Sequence, residues 1–432
     1  MGLRTSQYPQ PVNPRDYAHA LSLELDVQRQ GRPRDGVQTA AERRVIEAEL
    51  SEISGLKLGD AFPSGVVGAA QGCWECLHAM YPEYFPADGF GSSLLTERAA
   101  LRPRAGTSTD SYGGQCHWFK ARDGWLALSL VRDTDVHLLP ALTLTSELSR
   151  QGLAEAISEV SLSELVLRGR TLGLGIARPG DHSTLPWLSR VRLNAPHVQR
   201  KAPTVVDFSG LWAGPLAASL IGRLGGRVIK VESVGRPDGA RLGPEAFYRW
   251  MNATKMSLAI DFQDARDRQL LDLVLTDADI VIEASRPRAL TQLGISATEF
   301  LSARPGKLWC SVTGYGRAEP NAQWIAFGDD AAVAGGLVAW SEADQRPLFF
   351  GDAIADPLTG LHAAVAVLAR WAAGGGELLD IRLAGVAARA KGMMAIVTEA
   401  TASAPIGRTD AYPVAPVLGA HNTPLAAEFG LS

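Results

Sequence analysis

From Thr204 onward, short β-branched runs alternate with helix-length apolar or amphipathic stretches, and few architectures accommodate that alternation. Strands are expected at 204–208, 227–231, 257–261, 280–283, 308–312 and 378–382. Helices are expected at 215–224, 265–275, 298–304, 330–337, 359–371 and 384–397. Repeated strand–helix–strand units build parallel pairs with crossovers. The pattern therefore predicts an α/β fold, a Rossmann-like, mostly parallel sheet with helices on both faces. Ligands of such sheets bind beyond the carboxyl ends of the strands, which groups the loops after Phe208, Val231, Glu283 and Val312.

The rest of the chain divides by composition. Residues 1–110 read as a helical N-terminal region, with helical patterns at 40–53 and 64–80 and a polar, proline-bearing, mobile start. Residues 111–180 read as a small α+β domain. There Arg122-Asp123-Gly124 separates two short strands, a tight-hairpin signal in which both central residues take positive φ. Ser161-Leu162-Ser163-Glu164 forms a capping box at the head of a helix running to about Leu172. Residues 181–202 read as a linker, 203–398 as the large domain and 399–432 as a C-terminal tail.

Composition excludes several classes. The 432 residues are 46% hydrophobic and carry a formal net charge of −4, so a nucleic-acid partner is not expected. No apolar run is long enough for a membrane span, and the first residues do not resemble a secretory leader. The Met1-Gly2 start with Ser6 fits the short myristoylation pattern, which is read as chance. A cytoplasmic location is expected, since four cysteines are too few for a disulfide scaffold. Cys73-Trp74-Glu75-Cys76 has the spacing of half a zinc site, and Cys116-His117 offers further ligands. The apolar helix around the first pair favours buried cysteines instead, and no metal is expected.

The turn Ser209–Pro215 is not G-x-G-x-x-G, and the chain has no Walker A run, no G-x-S-x-G elbow and no H-E-x-x-H. Trp212-Ala213-Gly214 can present N–H groups to a ligand at a helix start, or can simply allow close packing. Arg286 and Arg288 put two guanidinium groups at the ligand edge, suited to phosphate or merely solvated. Lys255, after Asn252, is equally open, and so is Thr313-Gly314-Tyr315-Gly316, which serves as a ligand loop or as an ordinary turn. Asp356 precedes Pro357, the pattern of an N-cap followed by a first helical residue. A helix start also favours the ionised carboxylate that a nucleophile requires, so the two roles are compatible. His362, in an apolar helix, reads as a packed core residue.

Taken in order, Val206-Asp207-Phe208-Ser209, Ala213-Gly214-Pro215, Leu224 to Glu232, Asn252 to Asp261, Ala278 to Glu283, Arg286-Pro287, Leu293-Gly294, Ser311 to Gly316 and Ala355 to Gly360 resemble the class III CoA-transferases. That family includes formyl-CoA transferase, carnitine CoA-transferase and α-methylacyl-CoA racemase. Ala415 to His421 resembles the family's closing segment. The resemblance implies a large and a small domain in two interlocked chains, a homodimer. Its substrates would be an acyl-CoA and a carboxylic acid, with no tightly bound cofactor. Asp356 would attack the thioester carbonyl to give an aspartyl anhydride and then an aspartyl-CoA thioester. CoA would be lined by Trp212, Ala213, Asn252, Lys255, Ser285, Arg286, Thr313, Gly314, Tyr315 and Gly316.

Several positions depart from the family pattern. Ser233 stands where an arginine is common, and Ala284-Ser285 replaces an Asn-Phe pair. The glycine-rich flap of formyl-CoA transferase has no counterpart, and the small-domain-like hairpin precedes the large domain. A rearranged order, with a degenerate half copy in the first hundred residues, is the resulting expectation. Racemases of the family carry a His-Asp step where this chain reads Phe327-Gly328-Asp329-Asp330. Lacking that second base, transfer is favoured over a racemase or isomerase, with a non-catalytic CoA-binding subunit as the third reading.

Overall fold

Seven strands form the central sheet, in spatial order Leu188–Arg192, Glu377–Arg382, Leu308–Thr313, Ile280–Glu283, Thr204–Asp207, Arg227–Ser233 and Met256–Ile260. Every neighbouring pair is parallel except the first, which is antiparallel. This computed structural model describes residues 13–27, 40–89, 91–101, 109–197, 202–397 and 413–431, the side chains of 40–42 excepted. From Thr204–Asp207 the chain winds outward through two strands, then returns to build the other half of the sheet from Ile280–Glu283. Strand order therefore reverses beside Thr204–Asp207, where diverging connections leave a crevice at the carboxyl edge.

The strands are buried on both faces, as their near-continuous apolar sequences require. Ile280 and Ile282 belong to one core layer and Val281 to the other, the period-two alternation of a pleated strand. Helices Ala213–Gly222 and Ala355–Ala372 cover the first face, and Ala265–Asp277, Ala297–Ala303 and Asn422–Glu428 cover the second. The closing segment seals the outer strand. His421 and Asn422 exchange hydrogen bonds of 2.7–3.0 Å with the backbone of Ser257 and Ala259, occupying groups that an edge strand would leave unpaired.

The small unit holds a three-stranded antiparallel sheet, Cys116–Ala121, Gly124–Ser129 and Gly175–Ala177. One face packs on its own helices, including Leu162–Leu172, and the other on Tyr315, Val333, Val338 and Phe349 of the large unit. Helices Pro14–Glu24 and Gly65–Met80 lie against the first face of the large unit and join its core.

Several expectations change. Within 181–202, read as a linker, Leu188–Arg192 is a strand of the central sheet and Trp187 is buried. The expected helix 384–397 is Leu383–Ala390. It ends ahead of Gly392, whose φ is +61°, and Met394–Ile396 then pairs with Ala61–Pro63. That pairing belongs to a second antiparallel sheet with Val338–Ser341 and Arg346–Phe349, strands too short to stand out by periodicity. The hairpin at 122–124 forms, but Gly124 pairs with Ala121, so the loop is Arg122-Asp123 with no positive φ. Asp123 instead accepts the Leu162 N–H at 2.6 Å and tethers the next helix. Of the polar start read over the first fifteen residues, 1–12 lie outside the described residues, as does the tail segment 398–412, while Pro14 and Arg15 already belong to helix Pro14–Glu24.

Candidate functional site

Helix Ala355–Ala372 is apolar all round because it is enclosed all round, the condition under which such a helix is stable. Between Ala355 and Trp371 only Asp356 is not buried. Gly360, one turn further on, sets this helix tightly against the start of Ala213–Gly222. A Cβ there would lie 2.8 Å from the Ala213 carbonyl oxygen. Asp356 is thereby held beside Trp212-Ala213, at the carboxyl edge of Thr204–Asp207.

The helix begins at Ala355, so Asp356 is its second residue and not its N-cap. Its N–H donates to the Ala353 carbonyl at 2.8 Å. The preceding turn is unusual, with Ala353 at φ +46°, a conformation that costs a non-glycine residue about 1–3 kcal/mol. Contacts from three directions hold it. Asp329 accepts the Ala353 N–H at 2.9 Å, Ser54 Oγ accepts the Gly351 N–H at 2.8 Å, and Arg98 grips Asp352. Gly328 supplies room for the carboxylate. A Cβ on it would lie 2.6 Å from the Ala353 oxygen and 2.7 Å from an Asp356 carboxylate oxygen.

Four carboxyl groups converge here. Burial first, then the neighbouring charges of Asp329, Asp330 and Asp352, pushes Asp356 up to about 7 against the opposing pull of Arg98. Burial likewise takes Asp329 to about 6 and Asp330 to about 7. Asp330 Oδ1 accepts from the Ser129 hydroxyl at 2.7 Å, which brings the small unit into the cluster. A carboxyl group titrating near neutrality is more basic than an ordinary aspartate while remaining half ionised at pH 7, a combination suited to nucleophilic or proton-transfer work.

The remaining candidate residues fall into three groups. Trp212 and Ala213 open the helix Ala213–Gly222 that packs against the helix carrying Asp356. The Trp212 indole is 1% exposed, lies 4.7 Å beneath the Arg98 guanidinium, and leaves its N–H without a partner among the described residues. Asn252 and Lys255 lie below this turn. Asn252 donates to the Tyr248 carbonyl at 3.0 Å, and its side-chain oxygen has no partner among the described residues. Lys255 is 3% exposed and spends its ammonium on Asp207 and the Pro215 carbonyl, each at 2.8 Å. Burial lowers it to about 8 despite Asp207.

Ser285 donates to Glu283 at 2.9 Å, and Arg286 follows it on the loop after Ile280–Glu283. Arg286 is half-buried, with its pKa lowered by burial and then by Arg288, Arg132 and Arg236. Arg236, Arg286 and Arg288 have no acidic partner among the described residues. Sequence reasoning missed Arg236, although its place in the loop after Arg227–Ser233 is the same signal that marked Arg286. It also missed Arg98, for which no motif exists.

Thr313 to Gly316 form the third group and are committed to packing. Thr313 donates to Asp380 at 2.8 Å, and an added Cβ on Gly314 would meet Ala326. Tyr315 is 1% exposed, in ring contact with His182 and Trp324 beside Arg170. Its ring faces protein rather than a ligand crevice.

His362 is fully buried, as expected. Its Nδ1–H donates to the Leu358 carbonyl at 2.7 Å, so Nε2 accepts from the Tyr17 hydroxyl at 2.6 Å, and burial drives its pKa down to about 3. Cys73 and Cys76 are buried in Gly65–Met80, whereas Cys116 and His117 sit in the small unit's sheet, so these ligand types do not converge.

The chain is 29% identical to an acyl-CoA transferase of Fusarium pseudograminearum, over 41% of this chain and 44% of that protein. It is 28% identical to a succinyl-CoA:glutarate CoA-transferase of Mus musculus, over 48% of this chain and 49% of that one. A CAIB/BAIF family protein from Brucella suis is similar in structure at 27% identity, with a TM-score of 0.40 over 45% of this chain and 55% of that one. The chain spans about half the length of the curated relatives it matches. The family described as CoA-transferase family III matches residues 203–424, which include Asp356, the reversal of strand order and the segment sealing the outer strand. This chain belongs to CoA-transferase family III.

Proposed function

We propose that this protein moves CoA between an acyl-CoA thioester and a carboxylic acid, with Asp356 as the covalent nucleophile. One observation carries the reading: between Ala355 and Trp371, in a helix otherwise buried along that length, the one residue that is not buried is a carboxylate at the ligand edge. In the Rossmann-like reading of the sheet, CoA lies across the carboxyl edge. Its thioester is beside Trp212 and Asp356, and its phosphates are among Arg236, Arg286 and Arg288.

Asp356 attacks the thioester carbonyl, the C–S bond breaks, and an aspartyl anhydride and CoA thiolate result. The thiolate then attacks the aspartyl carbonyl and releases the donor acid, leaving an aspartyl-CoA thioester. The acceptor carboxylate attacks that thioester, and the returning thiolate takes the new acyl group and frees Asp356. Each exchange passes a carbonyl between near-equivalent leaving groups, so one difficult step becomes several easier ones.

Incubation with succinyl-CoA and other acyl-CoAs, hydroxylamine quenching and peptide mass spectrometry test this. An Asp356 hydroxamate is expected in the parent protein, and a loss of transfer on the order of 10³-fold or more is expected in Asp356→Asn. Transfer persisting in that variant defeats the assignment.

A second reading, α-proton exchange on an acyl-CoA, gains support from Asp329 and Asp330. The sequence offers no histidine there, yet these carboxyls titrate near neutrality next to Asp356 and can serve as a second base. Deuterium entering the acyl α-carbon from solvent without any acceptor acid selects this reading, and its absence removes it.

A further inference from the structure

Arg98 comes from the N-terminal region, more than a hundred residues before the segment that matches the family. It lies between two short 3₁₀ turns, Gly91–Leu95 and Ala99–Leu101. Its guanidinium makes a two-pronged contact with Asp352, Nε at 2.8 Å and a terminal nitrogen at 2.5 Å. The same group lies over Trp212 at 4.7 Å and Phe247 at 5.8 Å. Planar guanidinium satisfies both demands at once, which an ammonium cannot.

Asp352 is fully buried and stands four residues ahead of Asp356, in the turn that carries Gly351 at φ +75° and Ala353 at φ +46°. Ser54, also from the N-terminal region, accepts the Gly351 N–H. The turn that aims Asp356 is therefore held on one side by Asp329 and on the other by residues outside the family-matched segment.

We propose that Arg98 is the positioning residue of the Asp356 site. With Ser54 it clamps the turn 351–354 from the N-terminal region, which makes that region part of the working site. The inference rests on the reading of Asp356 as the reacting carboxylate. Among the described residues, the charged groups facing Asp356 from the packed elements are Arg98, Asp329, Asp330 and Asp352. Arg98 is the only cation among them, so it is the charge that opposes burial and the three carboxyls and lowers the pH at which the carboxylate becomes available.

Carbodiimide labels protonated carboxyl groups, and peptide mass spectrometry of Asp356 labelling from pH 5 to 9 reads its titration whether or not turnover occurs. The parent protein is expected to lose labelling with a midpoint near 7. Arg98→Gln is expected to move that midpoint up by about one pH unit or more. Arg98→Lys, keeping the charge, is expected to stay within about half a unit of the parent. Acyl transfer in Arg98→Gln is expected to be depressed at pH 7 and to recover toward pH 9.

The double variant Arg98→Gln/Asp352→Asn leaves no buried lone carboxylate at 352 and covers the case in which the single variant fails to fold. It is expected to show the same upward direction by a smaller amount, because Asp352→Asn also removes a charge that raises Asp356. An unmoved midpoint in a folded variant lacking the Arg98 charge overturns the proposal. An absent acyl adduct in the parent protein, with the labelling shift intact, overturns instead the reading of Asp356 as nucleophile.

Discussion

Asp356 stands between opposing influences. Its place in the first turn of a helix, together with Arg98, favours the anion, while burial and three neighbouring carboxyls favour the acid. Burial and like charge prevail, and the consequence for stability has a definite sign. The unfolded carboxyl ionises near its ordinary value of 3.8, the folded one only near 7. Between those values the unfolded state has lost a proton that the folded state keeps, so raising the pH from 4 to 7 weakens the fold. Asp356→Asn removes this penalty. Its thermal midpoint is expected to exceed the parent's by about 2–4 °C or more at pH 8, with near parity at pH 4. Calorimetry at the two pH values decides, and an equal effect at both would show that the carboxyl is not perturbed.

At the scale of elements, the loops after strands supply what the strands cannot. The loops after Arg227–Ser233 and Ile280–Glu283 bring Arg236, Arg286 and Arg288 to the same edge from distant parts of the sequence. Arg236 stands three places beyond Ser233, the position where the family often carries an arginine. Replacing both Arg286 and Arg288 with Gln is expected to weaken CoA binding by about tenfold or more, as lost hydrogen bonds to charged groups imply. It should also flatten the dependence of affinity on salt. Titration calorimetry at two salt concentrations reads both effects. Unchanged affinity would remove these loops from the phosphate site.

The whole molecule explains why the first hundred residues belong with the rest. Helix Gly65–Met80 lays Val66, Ala69, Ala70 and Cys73 into the same core as Leu361, Val365 and Leu368, and Tyr17 meets His362 there. A fragment of residues 203–432 would expose that face of Ala355–Ala372. It is expected to bind ANS and to lack the cooperative transition of the full chain. A fragment that unfolds as sharply as the full chain would show the N-terminal helices to be dispensable to the fold. The resemblance also implies a homodimer, and sedimentation of the full chain checks that expectation.

The alternation of short β-branched runs with helix-length stretches determined the six parallel strands, because each is an apolar run buried between two core layers. The Asp356-Pro357 step, the Arg286 loop and the family resemblance were legible for a similar reason: they are local patterns at element ends. Tertiary structure decided what local pattern cannot encode. Leu188–Arg192 became a strand because Glu377–Arg382 offered it an unpaired edge. Lys255 and Tyr315 turned inward because Asp207 and the small unit met them there. Arg98 reached Asp352 across more than two hundred and fifty residues of chain, a contact set by the packing of distant segments and by no motif in either one.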